Sequence, residues 1–333
     1  MTQSTTGGHG PVVLAGEATE DWTGDAVFYE YSAAADPIGA GLITRVPVRH
    51  FPAELHAGGP SRIVPLDLSA ELGVPYPATS PALLASFVVI NPGDQVTTGP
   101  DSTSELYYCM GGGGRSDFER SLPSIRVTSG RIQWGRGDFL ALPAGCTSVH
   151  SGGPAGALLY RVTDAPLLQH LGVTPSEGRF EPTRFDAAEA SERLAEVERQ
   201  PEASERSRVS ILLGNTAWPQ TRTVTHTLWA MLGVLPAGRF QRPHRHQSVA
   251  LDLITECAPG CYSLIGARLG ADGAILDPLR VDWSAGGAFV TPPGLWHSHH
   301  NESGRPAYLV PVQDAGLHTY LRSLDIRFAP ADD

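Results

Sequence analysis

The chain repeats itself, and a repeat fixes architecture before any single element is assigned. Trp134, Gly137, Pro143 and Gly145 recur in register as Trp283, Gly286, Pro292 and Gly294. The segments that follow also correspond, LYRVTDAPLLQHL near 159–171 and LVPVQDAGLHTYL near 309–321. Each copy holds short apolar runs, such as LLASFVVI and AYLVPV, broken by Gly, Pro, Asn and Asp, which read as strands. With 37 glycines and 28 prolines in 333 residues, the composition favours a turn-rich β protein of about two domains. Between the copies, FDAAEASERLAEVERQPEASERSR reads as one helix and a polar linker. Asp186 is expected to cap that helix, Glu189 to return the hydrogen bond, and Pro201 to end it.

Composition removes several classes of function. A net charge of −11 argues against nucleic acid and anionic membrane as general partners, since both need clustered positive charge. The chain has no lysine, which excludes Schiff-base and pyridoxal-phosphate lysine chemistry and a phosphate-binding P-loop. Cys109, Cys146, Cys257 and Cys261 form no pair of CxxC motifs, and Cys257 and Cys261 are expected as two free thiols. No run of about 18 apolar residues occurs. The first sixteen residues lack a basic head followed by an apolar run, so cytoplasmic residence is the expectation.

The chemistry gathers on histidine. Gly238 is followed after five residues by His244, Arg245 and His246; Gly286 leads, after five residues, to Pro292, Pro293, Gly294 and then His297 and Asn301. On an extended strand His244 and His246 share one face while Arg245 points away. With His297 from a later strand they make a set of neutral nitrogen donors suited to Fe(II), Mn, Ni, Cu or Zn, with positions left open for other ligands.

These two segments resemble the paired signatures of the cupin superfamily, and the second matches at every fixed position from Gly286 to Asn301. The glutamate that usually follows the histidine pair would fall at Ala250 or Leu251, neither of which binds metal. A three-histidine site without that carboxylate is similar to the gentisate 1,2-dioxygenase-like bicupins, whose corresponding strand PHRHQSVALDLITE resembles. The resemblance implies an all-β bicupin of two double-stranded β-helix (jelly-roll) barrels with a short linking helix. Residues 1–180 are then an N-terminal cupin domain, 181–207 helix and linker, and 208–333 the metal-binding cupin. Across the repeat, Gly93 aligns with Gly238, Gly99 with His244, Asp101 with His246 and Ser148 with His297. The first barrel retains Glu105, has no histidine at these positions, and is expected to hold no metal. His150 aligns with His299 and is expected to be structural.

By the same resemblance His244, His246 and His297 would hold Fe(II), with another divalent first-row metal as the alternative. The implied activity is ring-cleaving dioxygenation of a small molecule by dioxygen, in a homo-oligomer. His299 could hydrogen-bond substrate or handle a proton, or sit at the rim. Trp229 and Trp296 would line the substrate pocket, core packing being the alternative for Trp229. Arg208 falls where the family has an arginine that helps hold the substrate carboxylate. Two departures alter the expected substrate. The family's pocket glutamine and a second arginine are replaced by Gly233 and Asp252. An aspartate in place of a carboxylate-binding arginine reverses the local charge. Asp252 shares strand parity with the histidine pair and is expected inward, facing a substrate that carries an amine, a phenol or another donor. A metal-dependent isomerase, hydrolase or decarboxylase, or a non-catalytic small-molecule-binding bicupin, are the other readings of the same residues.

Overall fold

The computed structural model describes residues 22–330 apart from 124, 205, 207 and 208. The expectations for the first sixteen residues and for Arg208 therefore lie outside the described residues. The described residues up to Ile43 belong to one compact unit, and those from Thr44 onward to another. The described part of the first carries a single helical turn, Tyr31–Ala34, N-capped by the Glu30 carboxylate.

The second unit is two β-barrels. In the N-terminal barrel, strands run in the order Arg62–Pro65, Leu84–Ile90, Cys146–Thr163, Ser104–Leu122, Phe139–Pro143, Thr183–Phe185. Gln95–Thr98 joins Cys146–Thr163, and Ile125–Gly135 joins Ser104–Leu122. The two central strands are 19 and 18 residues long, too long for one flat wall. Their register shifts between Cys109 and Gly111 and again between Gly112 and Gly114, and bulges of this kind bend a strand. A Cβ on Gly112, whose φ is +68°, would lie 2.1 Å from the Gly156 carbonyl oxygen, so only glycine lets the strands approach there.

The C-terminal barrel is a sandwich of two antiparallel sheets. One runs Arg49–Phe51, Ala288–Thr291, Ala250–Glu256, Ala307–Gln313, Trp229–Leu235, Val209–Leu212; the other runs Leu279–Asp282, Cys261–Gly266, Trp296–Asn301, Arg239–Arg245, Arg327–Phe328. The six-stranded sheet is buried on both faces, which explains the nearly unbroken apolar runs in its sequence. Leu251, Leu253, Val310 and Val312 meet Phe87, Tyr160, Val162 and Phe139 of the N-terminal barrel in one core. Ile254, Leu309, Leu235 and Phe289 face the opposite way, into their own barrel, beside Trp283 and Ile265. Strand Arg49–Phe51 comes from the N-terminal half yet pairs with Ala288–Thr291. The connecting helix runs Ala187–Glu198, with Asp186 accepting from the backbone of Ala188 and Glu189, and Pro201 opens a 3-10 turn after it.

The duplication extends to buried hydrogen bonds. Trp134 Nε1 donates to Ser116 Oγ at 2.8 Å, and that hydroxyl meets His150 Nδ1 at 2.7 Å. In the second barrel Trp283 Nε1 donates to Ser263 Oγ at 2.9 Å, which meets His299 Nδ1 at 2.7 Å. His150 is fully buried at the end of the first of these chains of bonds, and burial first, then the Arg161 charge, pushes its pKa down to about 3. One alignment needs correction. Thr98, not Gly99, lies opposite Ser148 as His244 lies opposite His297. A bulge between Gln241 and His244 gives the second barrel one extra residue before its histidine pair. The N-terminal interior is filled by its own ions: Arg161 Nε lies 3.2 Å from Glu105 and its Nη2 3.2 Å from Asp101, with Tyr107 donating to Glu105. Arg161 and Glu105 are 6% and 3% exposed.

Removing one partner of a buried ion pair strands the other charge, at a cost of about 3–5 kcal/mol. Arg161→Leu should lower the urea-unfolding free energy by about that amount. A second group gives a pH signature. Burial raises the Asp314 carboxyl to about 7, against its bond from the Val249 amide. An acid raised in the fold contributes stability that is present below its unfolded value near 3.8 and is lost as pH climbs through 7. Unfolding curves at pH 4 and pH 8 should show Asp314→Asn gaining on the parent protein by on the order of 2–4 kcal/mol at the higher pH.

Candidate metal centre

The Arg239–Arg245 strand positions the site. His244 pairs directly with His297 on Trp296–Asn301, so both rings stand on one face with centroids 4.0 Å apart. Alternation brings His246 to the same side, 4.9 Å from His297. Among the described residues, these three donate ligand atoms that all lie within 4.8 Å of one another. They are 5%, 4% and 2% exposed.

Their orientation follows from backbone carbonyls. His244 Nδ1 lies 3.2 Å from the Arg242 oxygen, His246 Nδ1 2.8 Å from that of Ser248, and His297 Nδ1 3.1 Å from that of Leu295. A carbonyl only accepts, so each Nδ1 carries the proton and Nε2 is the ring nitrogen whose chemistry suits a metal. Ser248 Oγ, 3.0 Å from His246 Nδ1, donates its own proton to Gln313 Oε1 at 2.9 Å, consistent with that tautomer. Three neutral, buried, pre-oriented Nε2 donors fit a divalent first-row metal.

Around them, His299 points to the same interior, its ring 5.8 Å from His297 and 6.2 Å from His244. Asp252 is 2% exposed and faces Phe289 and Pro311 inside the barrel, accepting from Thr291 Oγ1 at 2.9 Å. The inward orientation expected of it is the observed one. Trp229 shares strand parity with Leu235, an interior residue, and its buried indole N–H has no hydrogen-bond partner. Trp296 is not brought to the site. Adjacent to His297 on the strand, it faces outward, where the Arg245 guanidinium lies 5.0 Å over its ring. His300 also faces outward, stacked on Tyr262 at 4.8 Å.

Two residues at the site escaped the sequence reading. Gln241, 4% exposed, brings its amide nitrogen to 3.5 Å from His244 Nε2. In a regular strand a spacing of three would put it on the opposite face; the bulge turns it inward. Phe328 pairs with His244 and stacks on its ring at 5.5 Å and 21°. It sits on a two-residue strand, Arg327–Phe328, too short to leave a periodic signal. That strand is tied down by Ala329 N to Pro243 O at 2.8 Å and Asp325 N to Gln247 Oε1 at 2.7 Å.

No family model matches the chain. Gentisate 1,2 dioxygenase 1 of Aquipseudomonas alcaligenes is 27% identical over 145 residues, which are 43% of this chain and 38% of that protein. The chain thus spans well under half the length of this curated relative. Salicylate 1,2-dioxygenase from Pseudaminobacter salicylatoxidans aligns with a TM-score of 0.65 and 14% identity, over 86% of this chain and 88% of that one. An oxalate decarboxylase variant from Bacillus subtilis aligns at 0.52 and 15%, over 81% and 77%. At these identities the solved structures establish the bicupin fold alone, and the resemblance to a gentisate dioxygenase rests on the sequence match. Among the described residues, no helix is long and apolar enough to cross a membrane.

Since Phe328 covers His244, Phe328→Ala should bare that ring. In metal-free protein, carbethoxylation of histidine by diethyl pyrocarbonate should gain one fast-reacting residue, mapped by mass spectrometry to His244.

Proposed function

We propose that this bicupin is an iron(II)-dependent dioxygenase that cleaves a C–C bond in a hydroxylated or aminated aromatic, or a related enolisable small molecule. The observation that carries the reading is the set of three carbonyl-tied imidazoles with no carboxylate among them. Iron held there would supply dioxygen activation while keeping its full double charge, so that a chelating anionic substrate balances it. The sequence similarity to a gentisate dioxygenase and the fold of a salicylate dioxygenase support the same class.

The chain's own groups divide the remaining work. His244, His246 and His297 bind the metal through Nε2. Trp229 offers its unpartnered indole N–H to an oxygen of the substrate. Ser263 accepts the Trp283 N–H and lies 2.7 Å from His299 Nδ1; donating its O–H there, it leaves His299 the tautomer with an Nε2–H donor to the interior. Asp252 puts a carboxylate where an anionic substituent would be repelled and an amine or phenol hydroxyl would be held. The substrate class favoured is therefore an aminophenol or polyphenol over gentisate or salicylate. A fold shared with an oxalate decarboxylase keeps a second reading, in which the metal is only a Lewis acid.

Oxygen uptake by protein reconstituted with Fe(II) under nitrogen separates the two. Uptake matching substrate loss is expected with aminophenols, and turnover without oxygen would establish the second reading. His244→Ala and His297→Ala should lose bound iron and at least about 10³-fold in kcat/KM, because each removes one of three protein ligands. Asp252→Arg should shift the preference between a carboxylate-bearing and an amine-bearing phenol by at least about tenfold, the equivalent of one modest charge interaction.

A further inference from the structure

We propose that the space enclosed by the two barrels and the linking helix is a second small-molecule site, built for an aromatic compound that carries a positively charged amine. It stands apart from the three-histidine cluster and does not depend on the metal reading. The cavity measures about 710 Å³, within the span of about 300–1,000 Å³ that holds small ligands and cofactors. Its walls have three sources. Tyr108 and Leu158 come from the N-terminal barrel, Leu232 and Tyr308 from the six-stranded sheet of the C-terminal barrel, and Leu194 and Glu198 from helix Ala187–Glu198. The helix is a fixed roof over this space. Its first residue donates a backbone N–H to Asp138 of the N-terminal barrel at 2.8 Å, and Leu194 packs against Val209 and Val234 of the C-terminal one. Towards the cavity it turns Ala187, Ser191 and Ala195, spaced by four and so on one face, and these small side chains leave the volume open.

The lining says what would fill it. Met110, Leu158, Leu194 and Leu232 offer an apolar bed for a ring. Tyr108 and Tyr308 bring hydroxyls to which no described residue hydrogen-bonds. Burial raises both phenols, Tyr108 to about 12, and the Glu198 and Glu256 charges add to the rise at Tyr308. Both hydroxyls therefore stay protonated at neutral pH and can donate or accept. Among the described residues that line the cavity, the two carboxylates face a single guanidinium, that of Arg136, which lies 3.2 Å from Glu256. The His56 ring is turned to the Gly286 carbonyl, 3.0 Å from its Nε2. Two acids against one base leave a surplus of negative charge, which draws a cation and repels an anion, and tyrosine faces hold an ammonium group well. Leu194 is 3% exposed, whereas Arg136 and Glu256 are 67% and 57% exposed. The ring of the ligand thus goes inward and its amine towards the mouth.

Tryptamine is the probe, with indole-3-propionate as its anionic counterpart, each titrated calorimetrically into the full chain. Tryptamine should bind with a dissociation constant below about 1 mM and raise the melting temperature, because it binds the folded state. The propionate should bind at least about tenfold more weakly. Glu198→Gln should weaken tryptamine about fivefold, the loss of one exposed charge interaction. Ala195→Trp, which fills the space from the helix, should abolish binding. The proposal is overturned by no saturable binding of tryptamine at about 10 mM, by equal affinity for the two indoles, or by an affinity unchanged in either variant. Should Ala195→Trp fail to fold, Ser191→Phe, at an exposed helix position, is judged by the same criterion. None of these outcomes bears on the three-histidine reading, which oxygen uptake decides.

Discussion

Three backbone carbonyls decide which nitrogen each clustered imidazole presents, and the chemistry of the second barrel depends on that choice. Were any Nδ1 free, its ring could swing or exchange tautomer, and the donors would lose their common point of aim. Because the accepting oxygens belong to Arg242, Ser248 and Leu295, each two residues from the histidine it holds, the local strand path sets the orientation. The Ser248 and Gln313 side chains add a second layer to one of them. A site built this way is stiff in the absence of a metal, since every tie is made within the protein.

Much of this was legible in the amino-acid sequence for simple geometric reasons. Glycines at Gly137, Gly145, Gly286 and Gly294 all adopt positive φ at matching turns, so the repeat of residue type was a repeat of backbone shape. Alternation gave the common face of His244 and His246 and the inward placement of Asp252. The same rule, applied about His297, sends Trp296 outward, and there family resemblance pointed the other way from geometry. Alternation then failed at the bulge, where one additional residue between Gln241 and His244 resets which side chains are inside. No composition signal marks that insertion, because it is absorbed by backbone hydrogen bonds. Phe328 was illegible for a different reason: its position comes from a distant strand pairing, which no local pattern encodes.

The two barrels amount to a comparison made within one chain. Both keep the tryptophan, serine and histidine relay and the same turn glycines, so the scaffold is held constant. What differs is how the interior is filled. The second barrel gathers three neutral nitrogens; the first places a guanidinium between two carboxylates, with Tyr107 and Thr98 linking that group to His150. A tethered cation there stabilises Glu105 in a buried place where a solvated ion would otherwise be needed.

Strand Arg49–Phe51, contributed by the first half to the edge of the second half's sheet, has a further meaning for the history and handling of this chain. A gene cut between the copies would leave the C-terminal piece with an open sheet edge along Ala288–Thr291 and a bare apolar face at Leu251, Leu253, Val310 and Val312, an invitation to aggregate. The half without the three-imidazole group thus covers both the sheet edge and the apolar face of the half that bears it.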